Sequence, residues 1–188
     1  TGYYTQCFNF WKQGCHKKVK ERVRCKDCEL RAYKPVSISV IKSHLKGSDP
    51  EGNDVVAIYP MLENNLCQLL VFDFDNHSKG SEKNDHANED DRWKEEVDAL
   101  RRICQNLGVD AVVERSRSGQ GAHLWIFFRE MVPARLARRF GFALLEKGAE
   151  SVNLTSFRYY DRMIPAQDVI PEGGLGNVIA LPMQGQAL

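Results

Sequence analysis

Two aspartates, Asp73 and Asp75, close the apolar run LCQLLVFDFD. In a strand, side chains two apart share a face, so both carboxylates project together while Phe72 and Phe74 turn to the other side and into a core. Paired carboxylates repel unless a cation joins them. Hard divalent ions such as Mg²⁺ or Mn²⁺ take oxygen ligands, and a strand-end Asp-x-Asp can bridge two of them about 3.5–4 Å apart for in-line phosphoryl transfer. A solvated acidic strand end is the plain alternative, and the poor fit of Asp to strands speaks against it.

A second group lies in ERSRSGQGAHLWIFF. Ser116, Ser118, Gly119 and Gly121 form a flexible turn whose backbone N–H groups can cradle phosphate, flanked by Arg115 and Arg117. His123 shares a strand face with Trp125 and Phe127 and stands where it can add a hydrogen bond to a triphosphate, although a single His at a strand start also reads as a structural residue. The third group is Cys7, Cys15, Cys25 and Cys28, four of the six cysteines crowded into the first 28 residues. Four thiolates suit a closed tetrahedral Zn²⁺ site, and Cys25-x2-Cys28 has the usual ligand spacing. The first pair is looser, and His16 can replace its neighbour Cys15 as a ligand. Cys67 and Cys104 sit in apolar patterns and read as small buried hydrophobes.

Charge divides the chain. Residues 1–46 hold 11 Lys and Arg against 3 Asp and Glu, and the remainder 15 against 22. A basic arm beside an acidic body suits polyanion binding next to a cation site, with a solvated charged surface as the bland reading. Lys17, Lys18, Lys20, Arg22, Arg24 and Lys26 interleave with Tyr3, Tyr4, Phe8, Phe10 and Trp11, a mixture that grips phosphate and stacks on bases.

These groups need positioning elements. At 188 residues and 43% hydrophobic content the chain accommodates one domain with a real core and a small appendage. No run approaches the roughly 18 apolar residues of a membrane span, and TGYYTQC is neither a signal peptide nor a start with Met, which predicts a soluble, cytoplasmic piece of a longer protein. Residues 1–35 read as a metal-pinned knuckle and 36–188 as one catalytic core. SISVIKSHLKG predicts a short helix with Ile38, Ile41 and Leu45 on one face and Gly47 as its stop. DVVAIYP and LCQLLVFDFD read as two strands joined at ENN in a hairpin, and the polar stretch 76–92 as a surface loop. Trp93, Val97, Leu100, Cys104 and Leu107 predict an amphipathic helix ended by Gly108. DAVVER and AHLWIFF follow as strands, Pro133 starts the helix PARLARRFGFALLEKG, and short strands are expected at FRYYD and NVIALP. Hairpins with interposed helices imply an α+β sheet layered by helices.

Taken together, these residues resemble the archaeo-eukaryotic primase superfamily, whose motifs are an Asp-x-Asp, a Ser-x-His-type signature and a third Asp after a hydrophobic residue. More narrowly, GYYTQC, the four-Cys knuckle, AIYPML, DFD, ERSRSGQGAHLWIFF, YYDRMIPAQD and GGLGNVIALPMQ are similar to the primase domain of TOTE conflict systems and to CRISPR-associated primase-polymerases. The resemblance implies an RRM-like primase-polymerase core of mixed or antiparallel sheets packed by helices, with an N-terminal zinc knuckle. Carried over by position, it makes Asp73 and Asp75 the first motif, Ser118 and His123 the second and Asp161 the third. Asp168 in AQD is the rival of Asp161, which is preferred because it ends the run FRYY. The end-joining polymerases of the superfamily carry a basic residue after the final strand, whereas Met183 and Gln184 follow Pro182 here.

The implied activity is that of a template-dependent DNA primase and polymerase using two Mg²⁺ or Mn²⁺ ions. A 3′-hydroxyl attacks the α-phosphate of an NTP or dNTP and pyrophosphate leaves. His123, Ser118 and the turn amides would hold the triphosphate, and the Zn²⁺ knuckle the template or initiating nucleotide. Implied partners are a single-stranded DNA template, a primer strand, and helicase, nuclease or CRISPR adaptation domains. Two other classes compete. One is a non-catalytic zinc-knuckle module that binds single strands. The other is a haloacid-dehalogenase-like phosphatase, because VFDFDN also resembles that family's nucleophile strand. That family, however, places the strand near its start, follows it with Thr or Val where His77 and Ser78 stand, and needs a later acidic pair that this sequence does not offer in a suitable context.

Overall fold

The computed structural model describes residues 6–15, 25–76, 92–151, 157–170, 172 and 176–185. Their elements, in chain order, are a 3-10 turn (Cys25–Asp27), α1 (Ile38–Lys46), β1 (Ala57–Ile58), β2 (Leu66–Asp75), α2 (Arg92–Asn106), β3 (Ala111–Arg115), β4 (Gly121–Pro133), α3 (Ala134–Ser151), β5 (Tyr160–Ile164) and β6 (Ile179–Ala180). Four strands make a fully antiparallel sheet in the order β3-β4-β2-β5, and β1 pairs separately with β6, also antiparallel. This is the expected α+β class.

Alternation in β2 decides which face is inside. Leu70, Phe72 and Phe74 are fully buried on one side, together with Ala122, Leu124 and Ile126 of β4 and Met163 of β5. Trp93, Val97, Leu100 and Cys104 of α2 and Leu144 and Leu145 of α3 close over them. Each large apolar side chain buried in this way contributes roughly 1.5–3 kcal/mol. α3 lies close because Gly141 has no side chain; a Cβ there would stand 3.1 Å from both Leu70 Cδ2 and Met163 Sδ. The opposite face is apolar at one end only. There Val71, Trp125 and Ile164 pack against Ile179 of β6 and the half-buried Ile58 of β1. Beyond that patch the face becomes polar, beginning with Asp73 and His123.

Several expectations shift. α1 has the predicted extent, with Ser37 Oγ accepting from Val40 N–H at its start and Gly47 closing it at φ 58°. Its apolar stripe does not face the core, however: Ile38 is 76% and Leu45 46% exposed, and the buried residue is His44. His44 takes that place through hydrogen bonds, accepting from Val56 N–H at Nδ1 (3.1 Å) and so donating from Nε2 to Pro182 O (3.0 Å). The predicted hairpin of DVVAIYP with LCQLLVFDFD does not form. Both edges of β2 are taken, by β4 and β5, so β1 pairs with β6 instead. What survives of the hairpin is its turn, with Leu62 N–H on Leu66 O at 2.8 Å, Asn65 at φ 61° and the bridge Met61↔Cys67. β4 runs five residues past AHLWIFF to Pro133, and the helix starts one residue after that proline. Residues 77–91 of the predicted loop lie outside the described residues.

At the N-terminal end, residues 6–8 lie antiparallel to 32–34 through Phe8 N–H on Ala32 O (2.9 Å), Lys34 N–H on Gln6 O (3.0 Å) and the bridge Cys7↔Tyr33. This pairing brings Cys7 back beside the segment that carries Cys25 and Cys28. Tyr3, Tyr4, His16 and the basic residues between Cys15 and Cys25 lie outside the described residues.

Candidate active site

The site is built by register. Glu114 of β3 faces His123 of β4, His123 faces Asp73 of β2, and Asp73 faces Arg162 of β5. Directly opposed residues of an antiparallel sheet share a face, so one row across four strands reads Glu114, His123, Asp73, Arg162. His123 Nδ1 lies 3.1 Å from Glu114 Oε2 and its Nε2 3.5 Å from Asp73 Oδ1. Trp125 Nε1 donates to the same Glu114 Oε2 at 3.1 Å. Arg162 Nε sits 3.3 Å from Asp73 Oδ2 and 3.4 Å from Asp161 Oδ2. Consecutive strand residues normally point apart; here the register shifts between Asp73 and Phe74 on the β5 side, and Asp161 is the extra residue of that bulge. Asp75 stands two residues beyond Asp73 on the same face, opposite Gly121.

The row is electrostatically coupled. Burial works against a charge on His123, but hydrogen bonds and attraction from Asp73 and Glu114 outweigh it and push the imidazole up to about 9. Burial likewise opposes the Asp73 charge, yet His123 first and Arg162 second hold its carboxyl below the ordinary carboxylate value. The half-buried Asp73–His123 pair matters more than the contact to Arg162, whose side chain is 55% exposed and therefore screened.

These shifts predict a stability profile in the presence of EDTA. The His123 value is raised in the folded state from 6.5, so its contribution is whole below pH 6.5 and is lost as pH rises through about 9. The Asp73 value is depressed, so its contribution is whole above pH 3.8 and is lost as pH falls below that. Urea titrations should therefore show stability dropping by on the order of 2–3 kcal/mol between pH 6.5 and 9.5. The drop should shrink markedly in His123→Gln; an equal drop in both proteins would refute the coupling.

The turn 115–121 is held by its own bonds. Ser116 N–H donates to Gly121 O (2.9 Å), Gly119 N–H to Ser116 O (2.8 Å) and Gln120 N–H to Ser118 Oγ (3.3 Å). Three of the amides expected to cradle phosphate are thus used within the turn, and its outward offer includes the hydroxyls of Ser116 and Ser118, 3.1 Å apart. Arg115 Nε donates to Gly119 O (3.0 Å). Arg117 lies against Gly52, where a Cβ would stand 2.5 Å from Nη1. Asn76 N–H donates to Gln120 O (3.1 Å), which ties the turn to the end of β2. Asp168, the rival third carboxylate, is bonded to Arg138 of α3 instead of joining the row.

Among the described residues no three His, Cys, Asp or Glu side chains gather as a group able to hold a metal. That covers both Asp73, Asp75 and Asp161 and the four N-terminal cysteines. The donor chemistry still suits both ions. Asp73 and Asp75 put two hard oxygen donors on one face, with Asp161 linked to Asp73 by a shared arginine. Cys7 Sγ accepts backbone N–H groups from Asn9 (3.4 Å) and Ala32 (3.3 Å), and Cys25 opens the 3-10 turn that Cys28 follows.

Residues 1–188, the whole chain, match the archaeo-eukaryotic primase domain of TOTE conflict systems. The chain belongs to this family. No curated protein matches it. A primase-family domain implies nucleotide and nucleic-acid substrates, and no helix among the described residues is long and apolar enough to cross a membrane.

Three residues of this primase domain were not singled out from the sequence: Glu114, Arg162 and Glu96. The first two needed the cross-strand register. Glu96 carried a local signal, because it falls three residues after Trp93 on the face that α2 buries. Its carboxylate accepts Arg158 N–H (2.8 Å) and Tyr159 N–H (2.9 Å), and Tyr159 O in turn accepts Asp75 N–H (2.8 Å). Glu96 therefore holds the entry to β5 against the end of β2, where Asp161 meets Asp73. Glu96→Ala strands two amides and should cost about 2–4 kcal/mol. Glu96→Gln, which keeps one acceptor oxygen, should cost less. Denaturant midpoints at unchanged slope would show this order.

Proposed function

We propose that this primase domain is a template-dependent nucleotidyltransferase that starts and extends DNA primers from NTPs or dNTPs. The reading rests on one observation above all: in a chain of this family, Asp73, Asp75 and His123 share one sheet face beside the 115–121 turn. Asp73, Asp75 and Asp161 would hold two Mg²⁺ or Mn²⁺ ions, which when bound neutralise charge on the phosphates and favour the ionised 3′-hydroxyl. That oxygen forms a bond to the α-phosphorus, the bond to the bridging oxygen breaks and pyrophosphate leaves. His123 and the Ser116 and Ser118 hydroxyls hold the triphosphate. Arg162 follows in the role of a movable counter-charge, neutralising Asp73 and Asp161 until cations replace it. The preference for Asp161 over Asp168 is supported by the arginine it shares with Asp73.

Cys7, Cys15, Cys25 and Cys28 would hold a structural Zn²⁺ in residues 1–35, apart from the catalytic core of 36–188. Phe8 and Trp11 are 56% and 54% exposed there, and Lys34 lies over the Phe8 ring, a surface suited to bases and phosphates of a single-stranded template. Helicase, nuclease or CRISPR adaptation domains are the proposed companions in a cytoplasmic defence system. The alternative of a non-catalytic single-strand-binding module makes a different prediction for the same experiment, and the whole-length family match gives no support to a phosphatase.

The test is primer synthesis on unprimed single-stranded DNA with each nucleotide type, with Mn²⁺ or Mg²⁺, before and after selective zinc chelation. De novo products that need a divalent ion are expected, with initiation falling and extension of a supplied primer persisting after zinc removal. DNA binding without incorporation under every condition would leave the non-catalytic module as the answer.

A further inference from the structure

We propose that Glu114 is a positioning residue of this site, which by accepting from Nδ1–H holds the His123 ring so that Nε2 faces, as a second donor, a triphosphate oxygen of the incoming nucleotide. This rests on the reading above that His123 contacts the nucleotide.

Glu114 Oε2 lies 3.1 Å from His123 Nδ1 and 3.1 Å from Trp125 Nε1. An indole N–H can only donate and a carboxylate oxygen can only accept, so the same oxygen receives both groups and Nδ1 must carry a proton. The other ring nitrogen then points away from Glu114, toward Asp73 at 3.5 Å. Trp125 turns this into a rigid mount. It is 1% exposed, packed with Val71, Ile164 and Ile179, and its ring meets His123 edge-on at 6.2 Å and 87°. Glu114 is thus fixed to the core through Trp125, and His123 is fixed to Glu114. Rotating the imidazole by half a turn would break the bond to Glu114 and withdraw Nε2 from Asp73 in one movement. A carboxylate on the far nitrogen fixes ring orientation in the same way in histidines that bind metals.

The test uses Glu114→Leu, Glu114→Gln, His123→Ala and the double variant Glu114→Leu/His123→Ala. Primer extension with Mn²⁺ gives kcat and KM for the nucleotide. Glu114→Leu should raise KM about 10–100-fold with a smaller change in kcat. Glu114→Gln, whose amide oxygen can still accept from Nδ1, should recover most of that loss. The double variant should be no worse than His123→Ala alone, because Glu114 acts through His123. If Glu114→Leu does not fold, Glu114→Gln decides: its amide oxygen is a weaker acceptor for Nδ1–H, so KM should lie between those of the wild type and His123→Ala. An unchanged KM in Glu114→Leu, or in Glu114→Gln where that variant decides, or an additive loss in the double variant would overturn the proposal. Should His123→Ala leave KM unchanged, the nucleotide-contact reading of His123 fails; a raised KM in His123→Ala beside an unchanged KM in Glu114→Leu overturns the positioning role alone.

Discussion

Asp73→Asn is expected to lower nucleotide incorporation by at least ~10³-fold, or about 4 kcal/mol of transition-state stabilisation, while the protein stays folded. The substitution keeps size and hydrogen-bonding reach and removes only the charge. On the proposed reading that charge holds a divalent ion against the phosphates, and an amide oxygen is a far weaker ligand for Mg²⁺ or Mn²⁺. Asp75→Asn should behave alike, since it projects from the same face two residues on. The cost to folding should be modest and specific to Asp73: His123 keeps Glu114 as its partner but loses the carboxylate 3.5 Å from Nε2. A small drop in stability in Asp73→Asn, with the fall between pH 6.5 and 9.5 reduced, would mark the loss of that one partner. Primer extension with Mn²⁺, accompanied by circular dichroism, measures both effects. Activity within 10-fold of wild type would remove Asp73 from the catalytic centre.

What the sequence revealed and what it hid follow from the range of the forces involved. Side-chain alternation is local, so VFDFD and AHLWIF announce which residues share a face. Cross-strand register is not, and Glu114 therefore looks like one more polar residue at the end of DAVVER until β3 aligns it with His123. Arg162 is hidden twice over, by register and by the bulge that brings it to both Asp73 and Asp161. The hairpin expected from DVVAIYP failed for a related reason. Nearness in sequence favours pairing with β2, but a central strand has only two edges, and the longer partners β4 and β5 occupy them. α1 shows the limit of periodicity from the other side. Ile38, Ile41 and Leu45 recur at helical spacing, yet a polar residue, His44, is the one buried, because its two ring nitrogens meet Val56 N–H and Pro182 O. Patterns of apolar residues do not register such bonds.

Gly121→Ala is expected to be the most destabilising glycine-to-alanine change among the described residues, costing about 3 kcal/mol or more in stability and about 10²-fold or more in activity. A Cβ at 121 would stand 2.2 Å from Phe74 O and 3.2 Å from Asp75 Cα, so the obstacle is the backbone of β2 itself. Phe74 cannot retreat; it is fully buried, with the rings of Phe157 and Tyr160 6.0 Å away. β4 must lift instead, at the register step where Gly121 faces Asp75 and two residues before His123. That movement strains the Ser116–Gly121 and Asn76–Gln120 bonds, so the turn and the carboxylate pair part from each other together. Overpacking commonly costs 1–3 kcal/mol where flexible side chains absorb it, and a backbone neighbour places this site at or above the upper end. A displacement of about 1 Å between reacting groups is by itself enough for a loss of about 10²-fold. Gly119→Ala is the informative control, two residues away in the same turn. Its Cβ would meet Arg115 at an ordinary 3.5 Å, and the penalty is confined to holding Ala at φ 73°, about 1 kcal/mol. Chemical denaturation and primer extension on the two variants should therefore rank Gly121→Ala well below Gly119→Ala on both measures. Equal effects, or a Gly121→Ala protein within 1 kcal/mol of wild type, would show that β2 and β4 do not approach so closely beside Asp75.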